Sequence, residues 1–106
     1  MYDGIKKVFT QSKTTTVDAG ATTSIIFTLN PEKPLFLKNL NVSLGTSTTI
    51  NYIKVDSVDV GNNASIDFES RFGGLPAVER EIEINLTNSD SNAHDTVVKI
   101  EGLIVK

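Results

Sequence analysis

Apolar and polar residues alternate along this chain with a period of two, in short runs broken by turn residues, and that pattern predicts strands. Ile5 to Phe9 is a first strand with Ile5 and Phe9 on one face, and Thr14 to Val17 is a second, ended by Asp18-Ala19-Gly20. Over Thr22 to Leu29, Ile25, Phe27 and Leu29 share one face while Ser24, Ile26 and Thr28 share the other. Asn30 to Pro34 reads as a loop, because its prolines cannot donate to a central ladder. From Leu35 to Leu44 the phase shifts: Leu35 and Leu37 fall on odd positions, Leu40, Val42 and Leu44 on even ones. A β-bulge at Lys38-Asn39 would add one residue and flip the facing; the alternative is a strand buried on both faces at its start. Gly45 to Thr49 reads as a polar loop.

A hairpin is predicted around Asp56-Ser57. With those two residues as the turn, Val55 faces Val58, Lys54 faces Asp59 and Ile53 faces Val60. Apolar then meets apolar and opposite charges meet on the other face, each pair contributing roughly 0.2–1 kcal/mol. Gly61-Asn62-Asn63 turns the chain into Ala64 to Phe68, where Ile66 and Phe68 share a face. Arg71 to Val78, with Gly73, Gly74 and Pro76, reads as a loop. Glu81 to Thr87 alternates cleanly, with Ile82, Ile84 and Leu86 inward, and Asn88 to Asp95 reads as a polar loop. Thr96 to Val105 closes the series, with Val98, Ile100 and Ile104 on one face and Val97, Leu103 and Val105 on the other.

Strands with turn signals every 8–12 residues predict an all-β, two-sheet antiparallel sandwich of about eight strands. A jelly-roll winding suits that number. An immunoglobulin-like sandwich is the alternative, and the Cys and Trp markers of its core are missing. Residues 1–106 fit one domain, with residues 1–4 as a loose N-terminal arm. Composition agrees: Val, Ile and Thr supply 32 of 106 residues, and these stiff side chains favour strands over helices.

Charge and chemistry narrow the function classes. Ten Lys and Arg against 13 Asp and Glu leave −3, the wrong balance for neutralising phosphates, so no nucleic-acid partner is expected. The cysteine count of zero removes disulfide frameworks, Cys-ligated zinc and thiol catalysis. The first residues hold no apolar stretch of signal-peptide length and no run approaches a membrane span, so synthesis in a cytoplasm and no membrane partner are expected. The initiating Met and the full strand series fit a whole protein.

His94 is the single histidine. As a base or ligand it needs a second ligand or an oriented serine; without one it reads as a loop residue capping backbone groups. Asp56, Asp59 and Asn62, and again Asp90, Asn92 and Asp95, are oxygen-rich enough to suggest Ca²⁺, yet neither run follows a calcium-loop pattern and both types are ordinary in turns. Glu81 and Glu83 would lie roughly 7 Å apart on one strand face, compatible with acid–base work on a sugar, but that face is the solvated one. Gly73-Gly74 lacks the residues of a phosphate loop. No catalytic, cofactor-binding or metal residue is therefore assigned.

Contact surfaces are better represented. Phe72 and Leu75 sit in a glycine-rich segment with little to bury against, which makes them either a contact surface or a plug at one end of the sandwich. Leu103 and Val105 face away from the Val98 and Ile100 side, so the last strand is either covered on both faces or meets another chain. Tyr2, Ile5, Val8 and Phe9 exceed what a free arm needs. Tyr52, opposite in facing to Ile53 and Val55, is either core to a second sheet or an exposed contact, and with Asn, Asp and Glu neighbours it would be the centre of a carbohydrate-binding face.

Two segments, Thr16-Val17-Asp18-Ala19-Gly20-Ala21-Thr22-Thr23 and Leu86-Thr87-Asn88-Ser89-Asp90 running through His94 into the last strand, together with the Thr/Ser/Asn-rich strand series, resemble small virion accessory proteins of phages and archaeal viruses, such as capsid decoration or tail-associated β-sandwiches. That resemblance implies a non-enzymatic assembly protein of the virion, without cofactor, binding itself as a homo-oligomer or binding capsid or tail proteins. A lectin-like carbohydrate- or ligand-binding module is the alternative.

Overall fold

A computed structural model describes residues 6–105, and Tyr2 and Ile5, like the proposed arm at 1–4, lie outside them. The elements are β1 (Lys6–Val17), β2 (Thr22–Thr28), β3 (Leu35–Ser43), β4 (Thr48–Val55), β5 (Val58–Gly61), β6 (Ser65–Asp67), α1 (Phe68–Phe72), β7 (Ala77–Val78), β8 (Glu81–Asn88) and β9 (His94–Val105). One sheet runs β1-β9-β3-β6, with β7 also on β3, and the other runs β2-β8-β4-β5. All strand pairs are antiparallel. The protein is an all-β, two-sheet sandwich.

The pairing is nested. β1 pairs β9, β2 pairs β8, β3 pairs β6 and β4 pairs β5, so the chain behaves as one long folded hairpin. Rolling it brings β9 onto β3 and β8 onto β4 and closes two sheets. That is a jelly-roll winding, and it displaces the immunoglobulin-like alternative. The closed tip of the long hairpin is Asp56-Ser57, whose φ angles of 48° and 70° both lie in the left-handed region that a two-residue I′ turn requires.

The core lies between the sheets and contains the expected alternating residues. Ile25 and Phe27, Leu35, Leu37 and Leu40, Ile82, Ile84 and Leu86, and Val98 and Ile100 are all buried. The phase shift in β3 is a bulge: Leu37 pairs Gly102 and Asn39 pairs Glu101, leaving Lys38 as the extra, exposed residue.

Several expectations are corrected. The expected strands at Ile5–Phe9, described from Lys6 onward, and at Thr14–Val17 are not separate: Lys6 to Val17 is one strand, β1. Its middle, Thr10 to Lys13, is polar on both faces because β1 is a sheet edge whose inner side is only half covered. Lys13 turns inward there, its ammonium donating to the Ile26 carbonyl and lying 5.2 Å from the Phe27 ring centroid. An inward charge on an edge strand discourages further strand addition. In the hairpin, Val55 pairs Val58 and Lys54 pairs Asp59 as expected, but Ile53 pairs Gly61, and Val60 is the extra residue of a bulge. Leu44 falls beyond β3 and is exposed. β4 begins at Thr48, inside the expected Gly45–Thr49 loop.

Part of the expected Arg71–Val78 loop is regular: α1 reaches Phe72, and β7 holds Ala77 and Val78. Asp67 caps α1 by accepting from the Ser70 N–H at 3.1 Å, and Gly73, at φ 76°, ends it. Five residues are too few to print a helical period in the sequence.

Candidate functional site

Polar side chains at the positions where chemistry was conceivable are committed to the fold. His94 begins β9 opposite Val17, and its Nε2 lies 2.6 Å from Asp90 Oδ2, stitching the 89–93 loop to the sheet. The His94 hydrogen bond and then the Ser91 N–H hold the Asp90 carboxyl below its ordinary pKa. Among the described residues, no three His, Asp or Glu side chains gather as a metal would need.

Asp56 explains how the hairpin tip is fixed. Its Oδ2 accepts the Glu79 N–H at 2.8 Å, and its Oδ1 accepts those of Arg80 and Glu81 at 2.8 and 3.0 Å. Burial pushes this carboxyl up, but the three N–H groups outweigh it and the net shift is downward. Asp59 accepts the Gly61 N–H at 2.8 Å. Both carboxylates of the imagined calcium loop thus serve backbone.

Glu83 stands on the outer face of the β2-β8-β4-β5 sheet. Its Oε2 accepts the Ser24 hydroxyl at 2.8 Å and the Tyr52 hydroxyl at 2.9 Å, and these two bonds lower its pKa. A proton donor to a glycosidic oxygen needs the opposite shift. The Asn85 amide donates to Ser24 Oγ at 2.9 Å, and the Asn51 amide donates to Asn85 Oδ1 at 2.9 Å and Thr87 Oγ1 at 2.7 Å. A polar ladder therefore crosses three strands. The Lys54 ammonium sits 4.7 Å from the Tyr52 ring centroid, on an aromatic face that a sugar would otherwise use.

This ladder carries a pH signature. The Tyr52 pKa is raised from 10.0, first by its hydrogen bond to Glu83 and then by burial. A raised pKa means that this contribution is whole below pH 10.0 and is lost as pH climbs through the higher folded value. Glu83, lowered from 4.5, contributes above that pH and loses its share as pH falls through its depressed value. In a Tyr2→Phe background, phenolate absorbance should show Tyr52 titrating above a free tyrosine, and Glu83→Gln should move it back down. An unshifted Tyr52 in the parent would mean the bond is not formed in solution.

Among the described residues, three exposed large apolar side chains, Val8, Val58 and Phe72, lie at the end of the sandwich that carries the Asp56-Ser57 tip, while Leu44 and Val97 are exposed at the other end. Lys6 pairs Val105 at this end of the first sheet, whereas Val17 pairs His94 at the far end. Phe72 closes α1 here, 51% exposed, with its ring stacked 5.6 Å from that of buried Phe68. It borders an apolar groove of about 360 Å³ with Val58, Val60, Pro76 and Ala77, and Val58 is 64% exposed. Leu75 turns to the other side of the same segment. There it lines a second groove with Val8 and Leu103. Val105 lies on the same outer sheet face as Leu103, half-buried. Phe9 faces between the sheets opposite Gly102 and packs against the core, away from both grooves.

Phe72, Leu75, Leu103 and Val105 are therefore brought to one end, and Phe9 is turned inward. Val8, also surplus in the sequence, is exposed there as well, whereas sequence reasoning missed Phe36, Val58 and Ala77, which complete that surface. Only the cross-strand register, set by the β3 bulge and the short β7, could have placed them together.

The fold defines a jelly-roll β-sandwich whose polar clusters are tied into its own framework. Compared with known proteins, the chain matches no protein-family model and no curated protein sequence.

Proposed function

We propose that the chain is a non-enzymatic assembly protein, a component of virus particles such as a capsid decoration or tail-associated protein, working through protein–protein contacts. The observation that carries the reading is the apolar groove at the hairpin end, where Val58 and Phe72 stand exposed beside the edge strand β5. Exposed large apolar residues gathered at one place mark contact surfaces. The jelly-roll winding, common among capsid domains, supports the same class, as does the sequence resemblance. The polar clusters add support from the other side, since Asp56, Glu83 and His94 hold structure together. Virus particles purified from cells that encode this chain should contain it in amounts comparable to their structural proteins, as read by mass spectrometry. Its consistent absence from such particles would overturn the reading.

A glycan-binding, lectin-like role is the second reading, favoured by the gathering of Tyr52, Glu83, Asn85 and Asn51 on one sheet face. It is the weaker one, because those groups already bond one another and Lys54 covers the ring. Glycan-array binding that disappears in Tyr52→Ala would reverse the order.

A further inference from the structure

The outer face of the β1-β9-β3-β6 sheet changes character along its length. Toward the far end of β1 it presents Thr10, Ser12, Thr14 and Thr16, all exposed. At the hairpin end it becomes more apolar in register, although the Lys6 ammonium lies 4.6 Å from the Phe36 ring centroid: Val8 pairs Leu103, Leu103 pairs Phe36, and Phe36 pairs Ala77. Four residues on adjacent strands thus form one row, spanning roughly 14 Å at the usual strand spacing. Val8 is 67% exposed, and the row borders the groove of about 260 Å³ that Leu75 also lines.

Charges of both signs rim this groove: Lys38, which the β3 bulge pushes outward, and Glu69 and Glu101. Among the described residues neither Lys38 nor Glu69 is in an ion pair. An apolar row with a rim of mixed sign is self-complementary. Under a two-fold axis the same patch meets itself, so apolar rows cover each other and cations face anions. An anionic surface, such as nucleic acid or an anionic membrane, would meet repulsion from Glu69 and Glu101.

We infer that this sheet face docks a second copy of the chain in an isologous dimer, with Lys38 against the partner's Glu69. The inference rests on the assembly reading and names one of its partners. It uses the Val8, Leu103 and Phe36 part of the sheet face and leaves Val58 and Phe72 for a different protein, the two surfaces meeting at Ala77.

The test is sedimentation velocity of the purified full chain across a concentration series. Wild type should show a monomer–dimer equilibrium. Lys38→Glu and Glu69→Lys should each weaken it about tenfold or more, because each homodimer then contains two like-charge pairs. An equimolar mixture of the two variants should recover association, since every facing pair is again opposite in sign. Val8→Ser should leave a monomer, and unchanged circular dichroism and melting would show the variants folded. A wild type that stays monomeric throughout overturns the dimer, as does association indifferent to both charge variants or a mixture that fails to recover. Any of these leaves the particle-composition test standing, whereas absence from particles with the dimer intact would defeat the assembly reading alone.

Discussion

Gly102→Ala is expected to destabilise the fold by about 3 kcal/mol, seen as a lower urea midpoint with a similar slope. Gly102 lies in β9, the strand paired on both sides, opposite Phe9 in β1 and Leu37 in β3. A Cβ there would sit 2.2 Å from the Phe36 carbonyl oxygen and 3.0 Å from Leu35 Cδ1. The obstacle at 2.2 Å is backbone, which cannot swing aside as a side chain can. The close approach lies beside the β3 bulge, where Leu37 pairs Gly102 and Lys38 is the extra residue. Relief requires β3 and β9 to move apart where β9 is also paired with β1. A midpoint equal to wild type would show that β3 and β9 do not approach so closely.

Asn88→Leu is expected to cost a similar amount, about 2–4 kcal/mol, although it introduces an apolar residue of like size into a buried position. Asn88 is fully buried. Its amide donates to the Val17 carbonyl at 2.9 Å and the Asn92 carbonyl at 2.8 Å, and its Oδ1 accepts the Asp90 N–H at 2.8 Å. These bonds tie the end of β1 and the 89–93 loop to β8. Leucine would leave two carbonyls and one N–H without their partner, and an orphaned buried group costs more than its bond contributes. Amide hydrogen exchange should quicken around residues 88–93 before the rest of the sheet. A stability equal to wild type would show that water or another group takes over all three bonds.

These two positions also mark the boundary of what sequence can supply. The core was legible because burial on one sheet face imposes a period of two: Ile82, Ile84 and Leu86 are inward as read, and the phase slip between Leu37 and Leu40 located the bulge. The hairpin tip was legible because Val55, Lys54 and their partners agree on one register. Gly102 and Asn88 were passed over, one as the middle of a strand and the other as the start of a polar loop. Their importance depends on what stands across from them, and a linear pattern does not record that. The same limit hid α1, too short for a period, and the continuity of β1, whose inner face is polar because it is an edge.

The candidate surface was half legible. Apolar excess at Phe72, Leu75, Leu103 and Val105 was visible from local context. Val8 stood out as surplus, but Phe36 looked like an ordinary strand residue until pairing aligned both with Leu103 and Ala77. Conversely, Phe9 looked surplus and faces the core, because alternation along β1 puts it on the opposite side from Val8.

Photo-crosslinking within assembled particles tests most directly the claim that this chain works through its hairpin end. A benzophenone side chain placed at position 72, beside Val58 in the apolar groove, should form a discrete adduct with another particle protein, and one placed at position 46 at the far end should not. Adducts formed from position 46 with none from position 72 would contradict the account.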